Sequence, residues 1–234
     1  MAIVSIDGVV VPPEAARISV LDRGFLYGDG CFEVFRTWDG VATDLEAHVD
    51  RLYETVRYLA LRALERVKLI DAIYRTIAKA GRGEHRIRVI LTRGEGGLGQ
   101  RFGELGPGHA IVIVDELLPQ PEEVGLAIVD WPLPRRTGPG HKTLAYLDPL
   151  IARELARAAG ADDAIRLDAA GNVSEGGTCN VFAVVGGTVV TPGRPRCTPG
   201  SCERAYSRCA RGSRSSPPCA ISRCARYMPR KSCS

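Results

Sequence analysis

The sequence predicts a mixed α/β (α+β) chain of two domains, followed by a tail of different character. Three observations carry this prediction. Amphipathic helical periods are interleaved with short strand-like apolar runs through residues 1–192. A proline-bearing stretch, LLPQPEEVG at 117–125, interrupts them. From residue 193 onward both periods vanish, and Ile221 is the only Ile, Leu or Val in 193–234. The expected divisions are a small N-terminal domain at 1–117, a linker at 118–124, a partial large domain at 125–192 and a basic, cysteine-rich tail at 193–234.

The N-terminus MAIVSIDGVVVPPEAARISV reads as short strands around a turn at Asp7-Gly8. It lacks the basic start and small-residue cleavage site of a signal peptide. Glycines alternate with aromatics in GFLYGDGCFEVFR at 24–36, which leaves a pocket wall and a tight hairpin both open. A strand is expected around Phe32–Thr37, with a turn at Asp39-Gly40. Thr43 and Glu46 have capping-box spacing, and Leu45, Val49, Leu52, Val56 and Leu59 then mark one helix face. A second helix fits about 66–80. HRIRVILTRG and HAIVIVDEL read as strands, and GLAIVDWPL opens the second domain with another. Asp148 as N-cap and Pro149 as first helical residue predict a helix with Leu150, Ile151, Leu155 and Ala158 on its apolar face, ended by Gly160. DDAIRLDAAGNVSEGG is expected as a strand, a turn and a polar loop, and NVFAVVGGTVVTP as a hairpin over Gly186-Gly187.

The net charge of +4 is unevenly shared. Residues 193–234 hold ten basic residues and one acid, Glu203, so this tail stands at +9 and residues 1–192 at −5. Six of the eight cysteines lie in the tail. No apolar run approaches the roughly 18 residues that cross a membrane, and a cytoplasmic location is expected. That location disfavours a disulfide framework. The tail has no C-x-x-C and no histidine, which disfavours zinc, and no metal is expected. A nucleic-acid-binding arm fits the charge but not the cysteines. The composition is better explained by a tail translated out of frame from a GC-rich gene, since such shifted frames are rich in Arg, Pro, Ser, Ala and Cys. Disorder is expected there.

Lys142 in GPGHKTLAYLDPL is one of only four lysines among the 31 Lys and Arg residues. An arginine stays protonated, whereas a lysine amine can lose its proton and attack a carbonyl. Alone, Lys142 reads equally as a surface charge. Glu175, before paired glycines in VSEGGTCN, reads as a carboxylate near close-approaching backbone, or as part of an ordinary loop. Arg51 in HVDRLYETV lies near the apolar helix face, where its fork could reach an anion or pair with Glu54 or Glu46.

Taken in order, YGDGCFE, HVDRL, LTRGEGGLG, HKTLAYL and SEGGTCN resemble the class IV, fold-type IV pyridoxal 5'-phosphate (PLP) enzymes. These are the branched-chain aminotransferases, D-amino-acid aminotransferases and aminodeoxychorismate lyases. The resemblance covers about 1–192 and implies a two-domain fold with PLP as cofactor. It implies that Lys142 forms an imine with the cofactor and carries a proton, and that Glu175 faces the pyridine nitrogen. Arg51 would bind the phosphate and Tyr146 the ring hydroxyl. Tyr27 and Phe32 would line the substrate pocket, with Arg88 or Arg93 near the substrate carboxylate. The implied reaction is transamination of small amino acids, branched-chain type favoured, with 2-oxo acids, in a homodimer. Lyase and D-amino-acid activities are the alternatives. An inactive truncated chain with a basic nucleic-acid-binding tail is the reading from another class. Tyr146 leans toward the aminotransferases, because some lyases carry arginine there.

Overall fold

The computed structural model describes residues 2–97, 99–129, 141–168, 170–186 and 188–192. They divide into two compact units: residues 2–119 with 141–145, and residues 120–129 with 146–192. The break after Pro119 falls inside the expected linker. The segment carrying Lys142 belongs to the first unit, not to the second domain as expected. The physical reason is a pair of backbone hydrogen bonds to a strand of that unit.

The first unit holds β1 (Ile3–Ile6), β2 (Val9–Val11), α1 (Arg23–Tyr27), β3 (Gly30–Trp38), β4 (Val41–Ala42), α2 (Leu45–Leu59), α3 (Arg66–Ala80), β5 (His85–Thr92) and β6 (Ala110–Glu116). The strands form one antiparallel sheet in the order β2-β1-β6-β5-β3-β4. Side chains alternate across a strand, so each strand offers one set to each face. Cys31 and Phe35 of β3, Ile87, Val89 and Leu91 of β5, and Val112 and Val114 of β6 form one core. Leu45, Val49, Leu52 and Val56 of α2 join it, as do Leu69, Ile73 and Ile77 of α3. The expected helical stripe of α2 is therefore the buried one. The expected capping box does not form: Asp44 stands at the N-cap with φ 48° and no side-chain cap bond. Thr43 instead donates its hydroxyl to the Arg36 carbonyl at 2.8 Å, which ties the helix start to β3.

The second unit holds β7 (Leu126–Ile128), α4 (Leu147–Ala158), β8 (Asp163–Leu167), β9 (Val173–Gly176), β10 (Ala183–Val185) and β11 (Thr188–Val190). β7 runs parallel to β8, β9 antiparallel to β8, and β10 pairs with β11 as a hairpin. Two expectations need correction. α4 starts at Leu147 with Tyr146 at the N-cap, and it buries Pro149, Ala152 and Ala156 rather than Leu150 and Leu155. Small alanines let the helix close on Ala164 of β8 and on Val129, whereas Leu150 and Leu155 remain 47% and 41% exposed. The stretch around Glu175 is a strand, not a polar loop, because β8 supplies its ladder: Arg166 pairs with Glu175 and Ile165 with Gly176. Ser174 and Glu175 are buried there. The expectations for 193–234, and Gly187 at the hairpin turn, lie outside the described residues. Among the described residues no helix is long and apolar enough to cross a membrane.

Candidate active site

The sheet face turned away from α2 and α3 carries the first group of candidates. Phe32 lies out of phase with Cys31 and Phe35, so it points to this second face. Cross-strand pairs Phe32–Ile90 and Val34–Arg88 put Arg88 on the same face, diagonal to Phe32. The Arg88 guanidinium lies 4.3 Å from the Phe32 ring centroid. Segment 141–145 joins β3 beside them. Phe32 N donates to the Lys142 carbonyl and Leu144 N to the Gly30 carbonyl, both at 3.0 Å. This pairing brings Lys142 Nζ within 5.1 Å of the Phe32 ring. The side chains of Arg88 and Lys142 thus both reach one aromatic ring that is 2% exposed.

The glycines of YGDGCFE make that approach possible. Gly28 has φ 65°, and a Cβ there would lie 2.9 Å from Ala145 N. A Cβ on Gly30 would meet the Leu91 carbonyl at 2.5 Å and Leu144 Cδ1 at 2.7 Å. Any side chain at either position would push the lysine segment off the strand.

Arg51 sits on the other face of β3. Glu33 shares the core side with Cys31 and Phe35 and is 1% exposed, so its charge needs partners. Helix α2 supplies them from positions three apart. Arg51 donates from Nε to Oε1 and from Nη2 to Oε2, each at 2.5 Å. His48 Nδ1 lies 2.9 Å from Oε2. Burial works to raise the pKa of Glu33, but the hydrogen bonds from His48 and Arg51 and their charge outweigh it and hold it below the ordinary carboxylate value. The carboxylate that Arg51 grips is therefore Glu33, 18 residues away in sequence, rather than Glu54 or Glu46.

Two further candidates separate by environment. Tyr27, in α1, is 53% exposed, with the Arg23 guanidinium 4.8 Å from its ring centroid. Arg93 is 3% exposed, and all three of its nitrogens serve the fold. Nε binds Asp29 Oδ2 at 2.7 Å, while Nη1 and Nη2 cap the end of α2 at the carbonyls of Ala60 (3.2 Å) and Leu59 (2.8 Å). Of the pair offered by the sequence, Arg93 is thus a structural residue, and Arg88 is the one beside Phe32 and Lys142.

In the second unit Glu175 is buried, and Arg166 Nη1 stands 3.4 Å from its Oε1. Arg166 itself is 1% exposed. Tyr146 is half-buried at the start of α4. Sequence reasoning misses Glu33, His48, Arg166 and His141. One signal is present for the first two: Glu33 interrupts the apolar phase of CFEVF, and the core stripe of α2 offers His48 and Arg51 one turn apart.

The family model for amino-transferase class IV matches residues 30–211. The chain belongs to the class IV aminotransferase family. A Methanocaldococcus jannaschii protein assigned as a branched-chain-amino-acid aminotransferase is 34% identical over 192 residues, 80% of this chain and 67% of its own length. The Arabidopsis thaliana branched-chain-amino-acid aminotransferase-like protein 2 is 32% identical over 82% of this chain, which spans only 36% of that longer protein. Among solved structures, the Thermoproteus uzoniensis branched-chain aminotransferase with norvaline superposes with TM-score 0.81 at 26% identity, over 89% of this chain and 74% of that one. A T.th. branched-chain amino acid aminotransferase complexed with N-(5'-phosphopyridoxyl)-L-glutamate gives 0.81 at 27% identity, over 89% and 73%. The family's cofactor is PLP. Each unit carries groups of the kind this cofactor takes: the Lys142 amine and the Arg51 guanidinium in the first, the Tyr146 phenol and the buried Glu175 carboxylate in the second.

Proposed function

We propose that this chain transaminates small amino acids, branched-chain side chains favoured, with 2-oxo acids, and that Lys142, Arg51, Tyr146 and Glu175 hold the cofactor. The observation that carries the reading is the placement of Lys142 Nζ 5.1 Å from the Phe32 ring, with Arg88 4.3 Å from the same ring. When bound, PLP supplies an electrophilic carbon for amine exchange and a ring that accepts electrons. Lys142 moves the proton at its Nζ, a task a guanidinium cannot perform. Arg88 orients a substrate carboxylate through its planar fork, and Phe32 and Tyr27 supply apolar surface for the side chain. Glu175 holds a proton on the ring nitrogen. Arg51, braced by Glu33, holds the phosphate. The relatives named for branched-chain substrates favour that side-chain class. Likeness to the family extends the proposal to a homodimer in the cytoplasm, which sedimentation and fractionation would test.

The direct experiment supplies the full chain with PLP, 2-oxoglutarate and, separately, leucine, valine, isoleucine, D-alanine or aminodeoxychorismate. Formation of branched-chain 2-oxo acids supports the proposal. Release of 4-aminobenzoate, or turnover of D-alanine alone, contradicts it.

A further inference from the structure

We propose that His141 is the positioning residue for Lys142, clamping the lysine-bearing segment to helix α2. The inference rests on the reading of Lys142 as the reactive amine. Backbone bonds hold the segment to β3 at Lys142 and Leu144. They do not hold it against α2; the His141 side chain does. Successive side chains of an extended segment point to opposite sides. Lys142 turns toward Phe32, and His141 turns toward α2.

His141 stacks on Tyr58 with ring centroids 4.0 Å apart and planes inclined by 25°. Its Nδ1 lies 3.4 Å from Thr55 Oγ1. The Thr55 hydroxyl donates to the Arg51 carbonyl at 3.2 Å, so toward the imidazole it accepts, and Nδ1 carries the hydrogen. Thr55 and Tyr58 are three apart and share one helix surface. Burial lowers the pKa of His141, against the pull of Glu54, which favours the neutral ring in the stack. The same helix carries Arg51 one turn before Thr55. His141 thus fixes the lysine segment relative to the helix that bears Arg51, with both ends inside the first unit. A reactive group displaced by about 1 Å loses on the order of a hundredfold in rate, which makes such a clamp consequential.

The test compares His141→Ala, His141→Phe, Tyr58→Leu and the His141→Ala/Tyr58→Leu double variant in the full chain. Amide hydrogen exchange of the peptide covering 141–146 is read first, without PLP. His141→Ala and Tyr58→Leu should each speed it about three- to tenfold, while exchange in α3 and β6 stays unchanged. His141→Phe keeps the stack and should restore slow exchange. In turnover, the two single losses should lower kcat by about ten- to a hundredfold with little change in KM. The double variant should be no worse than the worse single. Unchanged exchange at 141–146 in both single variants, or fully multiplicative effects in the double, would overturn the clamp. Exchange is read without cofactor, so it stands even if Lys142→Ala proves active and the functional reading fails.

Discussion

The two units close their cores with different side chains. In the first, leucines, isoleucines and valines of α2 and α3 fill one face of a six-stranded sheet. In the second, the described core is Val129, Ala152, Ala156 and Ala164, while Leu147, Leu150 and Leu155 of the same helix stay exposed. A helix that packs through large aliphatics keeps its partner sheet at a distance set by those side chains. One that packs through alanine lets the backbones approach. Burial stabilises by about 25 cal/mol per Å² of apolar surface, so the first arrangement gains far more per residue. Stability should therefore be concentrated where the Lys142 segment is anchored, and the exposed leucines of α4 should contribute little to it.

Four substitutions sharpen or break this contrast, from the largest expected effect downward. Glu33→Gln removes the charge that Arg51 and His48 hold and should cost about 3–5 kcal/mol, read by denaturant unfolding. Loss below about 1 kcal/mol would mean that the buried pair is not formed. The same carboxylate gives a pH signature. Its folded pKa is depressed, so its contribution is complete above the unfolded value and is lost as pH falls through the lower folded value. Glu33→Gln should therefore flatten the acid limb of stability below the ordinary glutamate value of 4.5. Ile87→Ala, in the fully buried centre of the first core, should cost about 2–5 kcal/mol. Asp22→Ala removes the buried carboxylate that accepts from Gly24 N and from the Thr92 hydroxyl, both at 2.7 Å, and should cost about 1–3 kcal/mol. Leu155→Ser in α4 should change stability by less than about 0.5 kcal/mol. A larger loss would show that something covers this face.

The contrast also explains what is legible in the sequence. α3 matches its expected range, and the expected stripe of α2 is the buried one, because large aliphatics at helical spacing meet a sheet in the first unit. The same rule misleads in α4, where the aliphatics are exposed and the alanines buried. Local chemistry misleads once more at Thr43, whose hydroxyl serves β3 instead of the helix start. At the site, residue types are legible but partners are not. Arg51 stands out in the sequence, yet Glu33 reaches it only after β3 and α2 pack together. Arg88 and Arg93 look alike along one strand. Register puts Arg88 beside Phe32, whereas Arg93 lies just past β5 and is spent on Asp29 and the end of α2. The alternating glycines of YGDGCFE have two readings, and the close approach of 141–145 explains them.

The central claim is that Lys142 is the one lysine whose amine bonds to the cofactor. The full chain should be incubated with PLP, reduced with borohydride and digested, and the peptide carrying the added mass identified. The account predicts label on Lys142 and none in Lys142→Arg, although that variant keeps the positive charge. Label confined to Lys68, Lys79 or Lys231, or an arginine variant labelled as fully as the parent chain, would contradict it.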